Sequence, residues 1–416
     1  MRKMKDSGVA WIGEMPEDWT VKRGKFTLKL LNRPVKETDD VITCFRDGEV
    51  TLRTNRRTDG FTVSVKEIGY QGIEPGDLVI HGMDGFAGSI GISDSRGKSS
   101  PVLVVCDTDE NKRYIMYYLR SMAYNDVFTA LATGIRVRSC DLRWNKLAEL
   151  PYILPSLEEQ NQIVLAIESS TSKVDALISN VQAQIEKLKA YKQSLITEVV
   201  TKGLDPNVPM KDSGVEWIGE IPKCWNMVRG KALFDECDAR SDDGSEELLT
   251  VSQYTGVTPR SQKSVNMFES TTLEGYKICE VGDIAANTMW LWAGAIGVSE
   301  YRGVISPSYN VYRQKEIKYI SSYLDCLLRI PLLVQEYASR STGIRASRLR
   351  LYPKDFMDIM FPVPPIEEQK TIMDILGKKI DMVNQMISIK QSKIEKLELY
   401  KRSLIYEYVT GKKEVS

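Results

Sequence analysis

Apolar residues follow two different rhythms along this chain, and each rhythm occurs twice. Through the first stretch, short apolar runs are bounded by Gly and Pro: EPGDLVIHG at 74–82, AGSIGIS at 87–93 and SPVLVVC at 100–106. Such runs read as short strands separated by turns. Helical stretches are expected at 112–124 and 319–338. Beyond Pro155 the rhythm changes. Ile167, Thr171, Val174, Ile178, Val181, Ile185, Leu188, Lys192, Leu195 and Val199 advance in steps of four and three, a heptad seam. Near the other end, Leu376, Ile380, Val383, Ile387, Lys390, Ile394, Leu397, Lys401, Leu404 and Tyr408 form a second seam, and Lys192 and Lys401 stand at equivalent steps. Ser156 and Glu159, just after Pro155, have capping-box spacing and mark the start of the first long helix.

The two rhythms belong to a tandem duplication. Residues 4–19, MKDSGVAWIGEMPEDW, match 210–225, MKDSGVEWIGEIPKCW, at an offset of 206. Gly76-Asp77 then meets Gly282-Asp283, and Ser100-Pro101 meets Ser306-Pro307. Past that point the offset is 209: Thr133-Gly134-Ile135-Arg136 meets Thr342-Gly343-Ile344-Arg345, and Glu158-Glu159-Gln160 meets Glu367-Glu368-Gln369. The expected class is α+β, with two similar α/β heads and two long helices. A helix of five heptads is about 65 Å long at 1.5 Å per residue and outruns one head. Its seam needs a long partner, and the other copy supplies one. Related units associate about a two-fold axis, so the helices should form an antiparallel coiled coil. The expectation is a dumbbell whose rod sets the separation of its heads.

Charge and composition narrow the function. Lys plus Arg and Asp plus Glu are both 56, giving zero formal net charge, which argues against a polybasic nucleic-acid coat. The one histidine, His81, leaves no room for a His-rich metal site, and it aligns with Asn287 in the other copy. Seven scattered cysteines without a CxxC read as reduced thiols of a cytosolic protein. The first residues hold no apolar core of a signal peptide, and 284–298 is too short to span a bilayer and reads as buried strand. GISDSRGKS at 91–99 has five residues between its glycines where a phosphate loop needs four. No catalytic or metal residue is assigned. An unrecognised nuclease or methyltransferase, and a protein-binding scaffold, are the competing readings.

Basic residues cluster at matching places in the two copies. Arg340, Arg345, Arg348, Arg350 and Lys354 occur without an acidic residue, and Arg136, Arg138, Arg143 and Lys146 occupy the matching stretch with Asp141. A second cluster, Arg53, Arg56 and Arg57, faces a thinner counterpart of Gln253, Tyr254, Arg260 and Lys263. Arg and Gln suit bidentate contacts to guanine and adenine edges, and Lys, Ser and Thr suit phosphates. These are the candidate DNA-binding residues. Two diverged heads at a fixed separation suit a bipartite, asymmetric target with an unread spacer.

With these motifs the chain resembles the specificity subunit of type I restriction–modification systems. The family opens each half with a segment like KDSGVEWIGEIPEGW, matched here at 5–19 and 211–225; Asp18 and Cys224 stand where glycine is common. It closes each recognition domain with TGIR…LEEQ, and then runs into a helix ending like IEKLKxYKxSLIxExVTG, matched at 185–203 and 394–411. The resemblance implies target-recognition domains at 1–155 and 204–364, with spacer helices at 156–203 and 365–416. It also implies a non-catalytic reader of DNA that docks two methyltransferase subunits. S-adenosylmethionine would then be held by those subunits, and ATP and Mg by two restriction subunits; no cofactor is expected in this chain.

Overall fold

The computed structural model describes residues 2–56, 67–130, 142–263, 272–343 and 349–415. The chain divides into two compact units. One holds residues 1–182 together with 391–416, and the other holds 183–390. Each unit therefore contains a head, part of one long helix, and the far part of the other.

In the first unit a four-stranded antiparallel sheet runs in the order Lys29–Leu30, Leu103–Asp107, Leu78–His81, Ile90–Ile92. The second unit repeats it as Phe234–Cys237, Asn310–Gln314, Ile284–Ala286, Ile296–Val298. The apolar stretch 284–298 is thus two buried strands joined by a turn. Each head is closed by pairing its first long strand with its last: Thr20–Arg23 with Pro151–Leu154, and Asn226–Arg229 with Met360–Val363. The repeated Gly-Asp is a structural device. Asp77 and Asp283 are buried; each accepts a backbone N–H, from Glu74 and Glu280, and each is neutralised by a two-pronged arginine, Arg33 and Arg313. A buried carboxylate left without such partners would be strongly destabilising.

One expected helix is split. The helix Lys112–Tyr124 forms as a single piece, capped by Asn111, whose side chain accepts from the N–H groups of Arg113 and Tyr114. The equivalent 319–338 forms two helices, Ser321–Leu328 and Pro331–Arg340. Pro331 has no N–H to donate and stands at a first turn, where that loss costs nothing.

The long helices run Leu157–Lys202 and Ile366–Val409. Within each unit their parts pack antiparallel. In the first, Asp175 accepts from the Lys401 ammonium at 2.7 Å, and the Tyr114 hydroxyl donates to the carbonyl of Val409, at the opposite end of that helix. In the second, the Lys192 ammonium donates to Asn384 at 3.1 Å and Lys390 to Gln184, while the Tyr323 hydroxyl donates to Val200. The seam lysines therefore meet equivalent polar partners, Asp175 and Asn384, across the helix pair. Ile167, Val174, Leu404 and Tyr408 enter the first core, and Leu195, Val199, Leu376 and Ile372 the second. Burying an aliphatic side chain of this size contributes about 1.5–3 kcal/mol.

The recurrent motifs join these layers. The opening segment is a clip. Met4–Asp6 pairs with Glu14–Pro16, and the clip ends on buried Trp19, whose indole N–H donates to Glu159 at 3.0 Å. Trp225 and Glu368 repeat the contact at 3.0 Å. Ser156 accepts the Glu159 N–H as a capping box requires, but the Glu159 carboxylate turns to Trp19 and Arg2. The buried Gln160 accepts from the Asn111 N–H and donates to the Pro155 carbonyl; Gln369 does the same with Ile320 and Pro364. Replacing Gln369 by Leu strands a buried donor and acceptor and should lower the stability of its unit by about 1–3 kcal/mol. A shift in the urea midpoint checks this, and an unchanged midpoint would show that the glutamine only fills space.

Candidate nucleic-acid interface

Each head projects a two-stranded hairpin beside its sheet. In the first unit it is Ile42–Cys44 with Val50–Leu52, and in the second Leu249–Ser252 with Gly256–Pro259. The alternation of buried and exposed residues in these strands explains their placement, with Ile42, Cys44 and Val50 in one core and Leu249, Val251 and Val257 in the other. Both hairpins run straight into a 3₁₀ turn, Arg53–Asn55 and Arg260–Gln262, and the N–H groups of Arg53 and Arg260 donate to Val41 and Leu248 at 2.8 Å. The clusters around Arg53 and Arg260 thus occupy the same structural position.

The basic side chains differ in availability. Arg56 is drawn inward: it pairs with Asp47 and Glu49 at 2.6 and 2.8 Å and lies over the Phe45 ring. Arg53 reaches Thr43 at 3.4 Å. Gln253 and Tyr254 sit at the exposed hairpin tip, with Tyr254 81% exposed. The Lys263 ammonium donates to Thr255 at 2.8 Å; burial, and then the charge of Arg260, lowers its pKa below the usual lysine value. Arg340 closes its helix in an ion pair with Glu336. Arg350 is exposed, and its backbone exchanges two hydrogen bonds with Thr342. Arg143 precedes the short helix Trp144–Glu149. Arg57, Arg136, Arg138, Arg345 and Arg348 lie outside the described residues.

The turn after the third sheet strand completes this end of each head. Leu142, which follows the basic stretch 136–138 in sequence, donates its N–H to Gly82 in that turn. In the second unit the turn carries Trp290 and Trp292, stacked with centroids 5.8 Å apart and Trp290 52% exposed. His81 caps the first turn, accepting at Nδ1 from the N–H groups of Met83 and Asp84, as Asn287 accepts from Met289 in the second. Burial lowers the His81 pKa from its ordinary 6.5 against the opposing pull of Asp84. The 91–99 segment is followed by the strand Leu103–Asp107, so no helix N-terminus is available there for a phosphate.

Two arginines outside the basic clusters also belong to this surface. Arg120 donates to the carbonyl of Asp47 at 2.7 Å, and Arg329 to that of Tyr254 at 2.6 Å, each at its own hairpin tip. They are 209 residues apart, and only the repeat offset in the sequence could have singled them out.

No family model matches the chain. The MjaVIII type I restriction enzyme specificity subunit of Methanocaldococcus jannaschii is 24% identical over 415 residues, covering 96% of this chain and 93% of its own. A second protein of that organism, provisionally named the MjaX type I specificity subunit, is 24% identical over 439 residues, covering 96% and 95%. The chain is thus similar over nearly its whole length to type I restriction specificity subunits. A solved chain described under "Structural basis underlying complex assembly and conformational transition of the type I R-M system" shares the fold of this chain. Its TM-score is 0.64 at 15% identity, and the match covers 95% of this chain and 99% of that one. Among the described residues, no group of His, Cys, Asp and Glu could hold a metal ion, and no helix is long and apolar enough to cross a membrane. Cys44, Cys106 and Cys279 are buried, and that burial pushes their thiols up to about 12.

Because the folded head resists protonating His81, its contribution to stability is full above about pH 6.5 and is lost as pH falls through that value towards the lower folded pKa. His81→Asn keeps the acceptor and removes the titration. Between about pH 7.5 and 5.5 the melting temperature of the wild type should fall further than that of the variant; parallel curves would refute the assignment.

Proposed function

We propose that the chain is the DNA-reading subunit of a type I restriction–modification complex, in which each head reads one half of a bipartite, asymmetric target. The observation that carries this reading is the hairpin-and-turn surface, built alike in the two heads and furnished with different side chains. A shared framework suits the common task of holding a duplex, and differing side chains suit different half-sites. The base and phosphate contacts are assigned to Arg53, Arg136, Arg138, Arg143, Gln253, Tyr254, Arg260, Lys263, Arg340, Arg345, Arg348 and Arg350. Arg56 and Arg57 complete the set, Arg56 after release from its acidic partners.

The paired helices act in this reading as the ruler between the half-sites and as the dock for two methyltransferase subunits. Ile375, Met382, Met386 and Ile389 leave an exposed apolar stripe on the second helix, which supports a helical partner there. The chain itself catalyses nothing and holds no cofactor. The methyltransferase subunits supply S-adenosylmethionine, restriction subunits supply ATP and Mg chemistry, and the complex works in the cytoplasm.

Mapping adenine methylation in the host genome, with and without the gene, tests the whole reading: a split motif with a fixed spacer should vanish on deletion. Arg136→Ala and Arg345→Ala should each relax one half-site only, by about 1–3 kcal/mol where the arginine reads a guanine. Wild-type behaviour of both would remove these residues from the interface. Inserting seven residues near Gln182 should lengthen the preferred spacer, and an unchanged spacer would show that the helices are not the ruler.

A further inference from the structure

The two hairpin tips are held by the same device and carry different residues. Gly48 and Gly256 sit at the tips with positive φ, +90° and +65°; a side chain on Gly48 would run into Arg120, and one on Gly256 would crowd Arg329. These glycines let the guanidinium of each arginine reach the tip backbone, where it donates to Asp47 or Tyr254. The arginines are aimed by unlike neighbours. Tyr124, one turn later, accepts from Arg120 at 3.0 and 2.6 Å, whereas Asp325, one turn earlier, pairs with Arg329 at 3.3 Å and also accepts the N–H of Val298. The same arginine-to-tip bond is thus reached in two ways, which points to the bond itself as the feature that matters. What the bond holds differs: Phe45-Arg46-Asp47 in one head, Gln253-Tyr254-Thr255 in the other.

We infer that Arg120 and Arg329 are positioning residues that hold each hairpin tip as a base-reading finger, with Arg46 recognising a guanine in one half-site and Gln253 an adenine in the other. This rests on the DNA-reading function proposed above. A two-stranded ribbon fits the major groove, where guanine offers two acceptors to an arginine and adenine a donor–acceptor pair to a glutamine. Arg46 is 69% exposed, and its ion pair with the half-open Asp84 at 3.0 Å is cheaply exchanged for a base. Gln253 is exposed at its tip. A fingertip that swings freely reads poorly, and a guanidinium bound to the tip carbonyl removes that freedom.

The test places variants in the host gene and reads the genomic adenine-methylation motif. Arg46→Gln should move one guanine position of one half-site towards adenine, leaving the other half-site and the spacer intact. Arg329→Gln should cut discrimination about tenfold or more at positions of the opposite half-site, with Arg329→Lys, which can still donate to the Tyr254 carbonyl, restoring most of it. A merely structural role for Arg329 would instead lower methylation at every site without changing the motif. Should Arg329→Gln fail to fold, Gln253→Ala, on an exposed side chain, makes the same prediction for that half-site. Unchanged motifs for Arg46→Gln and Gln253→Ala, with Arg345→Ala still altering its half-site, would overturn the inference and leave the DNA-reading function standing. A wild-type gene whose deletion changes no methylation would overturn both.

Discussion

A heptad seam left in water is unstable, and neither copy in this chain covers its own seam. Each compact unit is completed by the far part of the other copy's helix: 391–416 joins the first head, and 183–202 lies in the unit of the second. The contacts at these joints are strong. Tyr114 and Tyr323 are buried; the Tyr323 hydroxyl donates to Val200 in the last turn of the incoming helix, and the Tyr114 hydroxyl lies between the carbonyls of Val409 in that turn and Ile153 in its own head. Leu404, Ile405, Tyr408 and Val409 belong to the first core as fully as the strands do. Removing the end of either helix would strip apolar cover, and loss of the first helix's end would also leave the buried Tyr323 hydroxyl without its acceptor, so the duplication is a requirement of folding.

Around that constraint the molecule separates framework from reading surface. Buried polar groups carry the framework, and they are paired in the same way twice: Trp19 and Trp225 on glutamates, Gln160 and Gln369 between a helix start and a proline carbonyl, Asp77 and Asp283 on arginines. In a low-dielectric interior such groups are costly to leave unpaired, so both heads pair them, the tryptophans and glutamines in one geometry and the aspartates through arginines from different positions, Arg33 and Arg313. The hairpin tips and the adjoining turns face solvent and are free of that demand. There Arg46 stands in one head and Gln253 in the other, and Asp84 and Phe86 give way to Trp290 and Trp292.

Much of this was legible along the chain. The repeat, the two seams with their lysines, the strands around Gly-Asp and the start of the first helix all have periodic or capping signatures, because they arise from local geometry. Other readings failed where a distant partner intervened. Glu159 has the spacing to complete a capping box, yet a tryptophan 140 residues away claims its carboxylate. Arg56 looks as available as Arg53 in sequence, yet Asp47 and Glu49 meet it across the hairpin. The helix expected at 319–338 ignored Pro331, a local signal that the apolar spacing on both sides concealed.

The sequence by itself determined that the protein is one design used twice, with two helices needing partners and two heads differing at their exposed ends. Periodicity and repetition are properties of the chain, so they survive without coordinates. Only the tertiary structure decided which helix segment completes which core, and that Arg120 and Arg329 grip the hairpin tips. Those outcomes depend on pairs of groups brought together from distances of about 75 residues to nearly 300. No local rule specifies such pairs, because burial and charge act between neighbours in space.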